Sequence, residues 1–255
     1  MRILLAQTKP SYDVEKNIEK LKKIVKNKKA DLYIFPELYL TGYLIRDKIM
    51  ERAIPRDDKI FQDIEKVADD KIVVFGFPEY YNGILYNSAA VIFDGSTHIA
   101  RKIYLPNFGP FEELLYFKPG NDISVFKTPY GNIGVQICYD IFFPEIAKIQ
   151  ALKGAELIIN ISASPITSRA MFETLIPARA IENTVFFAYV NWAGMMRTME
   201  FWGGSRVVSP RGRTVEKLPY FEEHTEIVEI DMREIKIARN LRPTLRDTRK
   251  EFFNI

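Results

Sequence analysis

The stretch GNIGVQICYDIFFPE, residues 131–145, decides the fold that we predict for this chain. Residues 133–138 have the length and apolar content of a buried strand. Pro144 suits the first turn of a following helix, which we expect to run to about Lys153, and Gly154 suits its end. A buried strand that leads directly into a helix is the repeating unit of an α/β fold.

The same alternation extends in both directions from this stretch. Asp13 is placed to cap a helix over residues 14–27, in which apolar residues recur every three or four positions. Further helices are predicted at 58–68, 171–183 and 232–239, and strands at 3–7, 32–35, 72–77, 85–93, 98–103, 157–161, 185–191, 201–209 and 226–230. No linker rich in Gly, Ser or Pro divides the sequence, so we predict a single domain over residues 1–255.

Length and composition exclude several classes of protein. The 255 residues are 47% hydrophobic and 27% charged, which excludes a disordered chain, a collagen and a coiled coil. Thirty-six Lys and Arg against 33 Asp and Glu give a net charge of +3, so we expect no nucleic-acid partner. Uncharged apolar stretches such as residues 184–196 are shorter than the roughly 18 residues of a membrane span, so we expect no membrane partner either.

Cysteine and histidine are scarce. The chain has one cysteine, Cys138, and two histidines, His98 and His224. A lone cysteine forms no internal disulfide, which makes a reducing cytoplasm the expected location. This set argues against a Cys/His zinc site. Neither histidine lies in a motif-like context, so a nucleophilic enzyme built on this chain would use a carboxylate or an amine as its base.

Three reactive side chains lie at the ends of predicted strands. They are Glu37 in IFPELYLTGY, Lys102 in RKIYLPN and Cys138 in the opening stretch. Sites in open α/β sheets form beyond the carboxyl ends of strands, so the three side chains could converge. Each also has a simpler interpretation: a small buried cysteine, a solvated glutamate and a surface lysine. A second acid, Glu113, could likewise be a solvated glutamate. Residue types and spacing alone make a cysteine enzyme one hypothesis.

Taken together, these strings resemble the carbon–nitrogen hydrolase family, also called the nitrilase superfamily. FPEL followed by TGY carries the glutamate of the family, which maps to Glu37. RKIYLPN carries its lysine, Lys102, and GVQICYDIFFPE carries its cysteine, Cys138. A further glutamate, shortly before an aromatic pair and Pro-Gly, maps to Glu113 and has Glu112 as its neighbour. The resemblance runs from ILLAQ at the start of the chain to GGSRVVSPRG at 203–212.

This resemblance implies a fold, a set of roles and an assembly. The fold is a four-layer α-β-β-α sandwich of the nitrilase superfamily type. Cys138 would be the nucleophile, Glu37 the general base and Lys102 the cation that stabilises the oxyanion, while Glu113 would orient the substrate and hold Lys102. No metal or organic cofactor is implied. A homodimer or a larger homo-oligomer is expected, with residues 240–255 as a C-terminal arm at the subunit interface.

Other strings indicate the branch of the family. Tyr139-Asp140 after the cysteine is typical of amidases and carbamoylases, whereas nitrile hydrolysers tend to carry Trp-Glu. Phe142 stands where many amidase-like members carry an Arg. LPNFGPFEELLYF and NISASP resemble the glutaminase part of glutamine-dependent NAD synthetase.

We therefore expect a small primary amide as substrate, one that resembles the glutamine side chain and is cleaved to a carboxylate and ammonia. The predicted substrate contacts are Tyr139, Phe142, Trp192 and Tyr43. An N-carbamoyl amide hydrolase and a non-catalytic scaffold that keeps the fold remain alternatives.

Overall fold

The structure is a computed structural model that describes residues 1–43 and 48–252. Its strands are β1 (Arg2–Gln7), β2 (Leu32–Ile34), β3 (Ile54–Pro55), β4 (Ile72–Tyr81), β5 (Ile84–Phe93), β6 (Ser96–Arg101), β7 (Val125–Thr128), β8 (Gly131–Ile137), β9 (Leu157–Ser162), β10 (Phe186–Asn191), β11 (Ala193–Met196), β12 (Met199–Trp202), β13 (Arg206–Val208), β14 (Thr214–Lys217) and β15 (His224–Glu229). Its helices are α1 (Val14–Asn27), α2 (Ile49–Arg52), α3 (Lys59–Ala68), α4 (Glu113–Tyr116), α5 (Pro144–Leu152), α6 (Arg169–Asn183) and α7 (Arg233–Leu241).

The strands form two large sheets. The first has the order β15-β1-β2-β4-β5-β6, with β3 beside β4, and the second has the order β14-β13-β10-β9-β8-β7. Strands β1, β2 and β4 run parallel to one another, as do β8, β9 and β10. The carboxyl ends of each parallel set therefore lie at one edge of its sheet. Strands β11 and β12 form a separate hairpin.

Alternation along β1 shows how the layers are stacked. Ile3 and Leu5 belong to the core between the two sheets, whereas Leu4 and Ala6 belong to the core beneath α1 and α3. Helices α5 and α6 pack on the second sheet, against β8 and β10. Because successive side chains of a strand point to opposite faces, both faces of the first sheet are buried. The order helix–sheet–sheet–helix confirms the predicted α-β-β-α sandwich.

One predicted strand is wrong as a single element. The segment predicted as a strand over 201–209 is divided between β12 and β13. Gly203 and Gly204 between them have φ of 67° and 60°, in a left-handed region that extended backbone does not use. The two glycines therefore turn the chain from the hairpin into the second sheet.

The C-terminal segment is described only in part. After α7 the chain passes through turns to a 3₁₀ turn at Lys250–Phe252, and Leu241 and Phe252 are 69% and 76% exposed. Phe253 and Ile255 of the predicted arm lie outside the described residues. Across residues 1–43 and 48–252, no helix is long and apolar enough to cross a membrane.

Candidate active site

Glu37 lies on a turn that packs directly against strand β4. Strand β2 ends at Ile34, and Leu38 adopts φ of 47°, which reverses the chain. The N–H of Gly76 on β4 donates to the carbonyl of Pro36 at 3.0 Å. A Cβ atom at Gly76 would lie 2.2 Å from the Leu38 nitrogen, so a side chain there would displace the turn. Because Gly76 has no Cβ atom, the turn can approach β4 this closely, and this contact sets the position of Glu37.

Lys102 directly follows β6 and is fully buried. Its backbone N–H donates to the Asn87 carbonyl of β5 at 2.8 Å, and its carbonyl accepts from the Gly120 N–H at 2.7 Å. The neighbouring strand and the following loop thus hold the backbone on both sides. A buried ammonium group is tolerated only when it is paired, so the partners of its Nζ define the site.

Five side chains form what we call the buried polar cluster: Glu37, Tyr43, Asn87, Lys102 and Glu113. Lys102 Nζ lies 2.7 Å from Glu37 Oε1 and 2.7 Å from Glu113 Oε1. The Asn87 side-chain amide donates to Glu37 Oε1 at 2.7 Å and to Glu113 Oε2 at 3.3 Å. The Tyr43 hydroxyl donates to Glu113 Oε1 at 2.6 Å. Glu113, the acid that the motif indicated, is therefore the one that holds Lys102.

Burial and neighbouring charges set the protonation states of this cluster. Burial works against the charge of Lys102, but the carboxylates of Glu113 and Glu37 outweigh it and raise the pKa of Lys102 above its ordinary value. Burial raises the pKa of Glu113, although the nearby lysine opposes this. Burial and then the charge of Glu113 raise the pKa of Tyr43 well above its usual range. Lys102 is thus a fixed cation and Tyr43 a neutral donor.

Cys138 lies where β8 meets a 3₁₀ turn, Cys138–Phe142. Its φ of 46° is left-handed, a conformation that costs a non-glycine residue about 1–3 kcal/mol and occurs often at active sites. The Asn160 side-chain amide donates to the Cys138 carbonyl at 3.3 Å. The chain therefore reverses sharply at Cys138 while its backbone stays held.

Asp140 connects the cysteine turn to the segment after Lys102. Its Oδ2 accepts the Ile137 N–H at 3.0 Å, and its Oδ1 accepts the N–H groups of Ile103 at 3.2 Å and Tyr104 at 2.9 Å. Burial raises the pKa of Asp140 to about 7, although these backbone N–H groups oppose the rise. One carboxyl group therefore fixes the nucleophile and the lysine relative to each other.

The environment of Cys138 keeps its sulfur protonated. Burial, and after it the charge of Glu37, raises the pKa of the thiol well above its usual range, although Lys102 opposes this. The Ala163 N–H donates to Glu37 Oε2 at 2.7 Å, and the same N–H opposes the rise in the pKa of the Cys138 thiol. This one backbone N–H therefore acts on both the carboxylate and the thiol. A neutral thiol of this kind needs a base in order to become a nucleophile.

A cavity of about 180 Å³ opens beside Cys138. We call it the apolar cavity because most of its wall is aromatic or aliphatic. The main apolar contributors are Phe108, Phe111, Tyr139, Phe142, Met171 and Phe172. The polar groups on its wall, in the part of the chain that the structure describes, are the hydroxyls of Tyr139, Ser164 and Ser168 together with the Cys138 thiol.

The four predicted substrate contacts lie in different places. Tyr139 and Phe142 line the apolar cavity, whereas Tyr43 belongs to the buried polar cluster. Trp192 is fully buried and stacks on Tyr39, with 5.5 Å between the ring centroids. Its indole N–H donates to the backbone carbonyl of Glu37 at 2.8 Å. Trp192 thus contacts the backbone of Glu37 and is not among the residues that line the apolar cavity, so its role in substrate binding stays a prediction.

Several functional candidates escape notice in the sequence. Asn87 lies within the apolar run of β5, in LYNSAAVIF, where a buried amide requires partners. That polar interruption is a usable signal. Ala163 acts through its backbone N–H, so its side chain gives no signal in the sequence. Phe172 on α6 reaches the cavity from a helix that carries no motif.

Comparison with known proteins places this arrangement in a family. A sequence model of carbon-nitrogen hydrolases matches residues 2–240. A glutamine-dependent NAD(+) synthetase from Aquifex aeolicus is 36% identical over 238 residues, which are 90% of this chain and 42% of that protein. The chain thus spans less than half the length of that relative. A nitrilase from Pyrococcus abyssi is 31% identical over 268 residues, 99% of each chain.

A solved structure of the amidase from Nesterenkonia sp. AN1 has a TM-score of 0.85 to this chain at 26% identity, and the match covers 100% of this chain and 98% of that one. That structure shows acrylamide added at the active-site cysteine of the Nesterenkonia enzyme. The family match extends over nearly the whole chain, including the turns that carry Glu37, Lys102 and Cys138. The chain therefore belongs to the carbon–nitrogen hydrolase family.

Proposed function

We propose that this protein hydrolyses small primary amides to a carboxylate and ammonia through a thioester on Cys138. The observation that carries the proposal is the Glu37 carboxylate, which Lys102 Nζ and the Ala163 N–H each hold at 2.7 Å and whose charge acts on the buried Cys138 thiol. This supports a mechanism in which a base and a cation act on a thiol that is protonated at rest.

In the first step Glu37 takes the thiol proton while the Cys138 sulfur attacks the amide carbonyl carbon. The carbonyl π electrons move to the oxygen and form a tetrahedral oxyanion. An ammonium group has three N–H donors, and the two glutamates take two of those on Lys102. We assign the third to the oxyanion, together with the N–H of Tyr139 in the first turn after the cysteine.

In the second step the oxyanion collapses and the carbon–nitrogen bond breaks. Glu37 returns its proton to the leaving nitrogen, so that ammonia departs and a thioester remains. Glu37 then takes a proton from water, which attacks the thioester carbon, and the carbon–sulfur bond breaks. Glu37 returns this proton to the sulfur, and the acid is released. Glu113 holds Lys102 throughout and orients the amide nitrogen.

An amide suits this machinery better than a nitrile. Its nitrogen leaves only after it gains a proton, and Glu37 carries one after the first step. The Tyr139-Asp140 pair favours the same branch. The relatives include a nitrilase and an amidase, so the choice requires a direct measurement. We expect kcat/KM for a primary amide to exceed that for the nitrile of the same carbon skeleton at least about tenfold.

Mass spectrometry of the intact protein tests the covalent step. Hexanamide, hexanenitrile and an N-carbamoyl amino acid are each mixed with the wild-type protein, and ammonia release is followed in parallel. We expect an acyl adduct on Cys138 with the amide. Cys138→Ala, with circular dichroism as the folding control, should show neither adduct nor ammonia. Turnover by the alanine variant would refute the mechanism, and activity confined to the nitrile or the carbamoyl compound would show a different branch.

We also propose that residues 240–255 pack against a second copy of the chain. Leu241 and Phe252 are 69% and 76% exposed in the single chain, and apolar side chains so exposed commonly mark an interface. Deletion of residues 241–255 should reduce the particle mass in light scattering. A monomeric wild-type protein, or an unchanged mass after deletion, would contradict this.

A further inference from the structure

We propose that the acyl group of the substrate is uncharged and apolar, and that Phe142 is the main residue that selects it. The inference rests on the proposed function because it concerns the acyl group carried by Cys138. The buried polar cluster does not define the acyl group, because the proposed mechanism assigns that cluster to the amide and not to the acyl chain.

The chemistry of the cavity wall excludes a charged acyl group. Phe108, Phe111, Met171 and Phe172 present carbon to the space beside Cys138. Among the residues that the structure describes on this wall, none carries a charge. A carboxylate or an ammonium group that entered would lose its water and gain no ion pair, which is strongly unfavourable. Free glutamine, which has both groups, fits this wall poorly.

The serine hydroxyls on the wall offer little compensation. The Ser164 oxygen accepts the Trp202 indole N–H at 3.1 Å, and the Ser164 backbone N–H donates to Asn191 at 2.8 Å. Each wall hydroxyl, of Tyr139, Ser164 or Ser168, can offer at most one neutral O–H donor. Neutral hydroxyls also stabilise a carboxylate less well than an arginine does, since a guanidinium donates two charge-assisted hydrogen bonds in parallel. The wall can therefore satisfy at most a weakly polar acyl group.

Phe142 has the central place in this wall. Its ring lies 5.3 Å from the Tyr139 ring and packs edge-on against Phe172 at 5.4 Å, measured between centroids. It thus joins the turn of the nucleophile to helix α6 and closes the cavity between them. A rigid ring in this position favours hydrocarbon and leaves no donor for an acidic group.

The cavity volume limits the size of the acyl group. About 180 Å³ is the liquid volume of roughly six water molecules. This suits an acyl chain of about that number of non-hydrogen atoms, such as a branched aliphatic or a small aromatic chain.

A matched pair of substrates tests the inference on the wild-type protein. 5-Methylhexanamide and 4-carbamoylbutanoate have the same shape and differ in an isopropyl group against a carboxylate. We expect kcat/KM for the former to be at least about a hundredfold higher, the scale of an unpaired buried charge. Phe142→Arg should reduce this ratio at least about tenfold, and Phe142→Leu, the matched control, should keep the apolar preference.

The outcomes separate this inference from the proposed function. Equal turnover of the two amides, or a preference for the carboxylate, would overturn the apolar assignment while amide hydrolysis stands. An unchanged ratio in a folded Phe142→Arg protein would overturn the role of Phe142. A failure of every amide to release ammonia or to acylate Cys138 would instead overturn the proposed function.

Discussion

Two regions meet at Cys138, and they are built on opposite principles. On one side the buried polar cluster is joined by hydrogen bonds of 2.6–3.3 Å among charged and amide groups. On the other side the apolar cavity is bounded by rings packed at 5.3–5.5 Å. Hydrogen bonds and ion pairs weaken steeply with distance and angle, whereas apolar contact is nondirectional. Changes in the cluster should therefore act on kcat, and changes in the cavity on KM and substrate choice.

The largest effects should come from the charged members of the cluster. Glu37→Gln keeps the size and removes the proton acceptor, and Lys102→Met keeps most of the volume and removes the cation. We expect each to lower kcat at least about a hundredfold, the usual scale for a base or an oxyanion donor. Steady-state kinetics with circular dichroism as the folding control measures this. Near wild-type kcat in either variant would disprove that assignment.

Asn87 should have a smaller but diagnostic effect. Asn87→Leu removes both amide hydrogen bonds to the glutamates, and we expect kcat to fall at least about tenfold because a buried charge loses a donor. Asn87→Asp adds a third carboxylate, which should raise the pKa of Glu113 further. The acid limb of the pH profile should then move to higher pH in the Asp variant. If both variants only lower thermal stability and leave the pH profile of activity unchanged, Asn87 stabilises the fold and does not position Glu37 and Glu113.

Asp140 connects the two regions, and its substitution should change mainly the free energy of unfolding. Its pKa of about 7 lies above the ordinary carboxyl value of 3.8, so between about pH 4 and 7 the folded protein binds a proton that the unfolded chain releases. The stability that this proton contributes to the folded state is fully present below pH 4 and is lost as pH rises to 7. The free energy of unfolding of the wild-type protein should therefore fall between pH 4.5 and 7.5. In Asp140→Asn, whose side chain does not bind this proton, the fall should be smaller by a few kcal/mol.

Chemical denaturation at those two pH values measures the Asp140 effect. Glu145→Gln is the matched control, because Glu145 contacts the Tyr104 hydroxyl and not the backbone N–H groups that Asp140 accepts. An identical pH dependence in Asp140→Asn and the wild type would contradict the assignment. Turnover should fall less than with Asn87→Leu, because the side-chain amide oxygen of the Asp140→Asn variant can still accept part of the backbone set.

The smallest effect should come from the mouth of the cavity. Met171 lines the wall but is 49% exposed, so Met171→Ala removes only a part of the apolar contact. We expect KM for 5-methylhexanamide to rise by about threefold or less, with kcat unchanged, since a half-exposed side chain contributes only a fraction of its full burial energy. A large loss of kcat would show that the two regions are not separable in this way.

The sequence by itself determined the fold class and the reactive set. Periodic apolar runs and turn residues locate α1, α3, β1 and most of the central strands, because short-range patterns follow from the repeats of helix and strand. The motifs around Glu37, Lys102, Glu113 and Cys138 identify the residues that the structure brings to one place. Each is a local string whose chemistry is carried by its own side chain.

The tertiary structure alone decided what surrounds those residues. Asn87 reaches the two glutamates from another strand, Ala163 offers only a backbone N–H, and the Trp192 indole N–H donates to the backbone carbonyl of Glu37. The apolar cavity is assembled from segments that include Phe108 and Phe172, which lie far apart in the chain. These relations depend on distances between elements and on which face of each is buried. Local sequence does not encode them, because they arise only when the two sheets and their helices pack together.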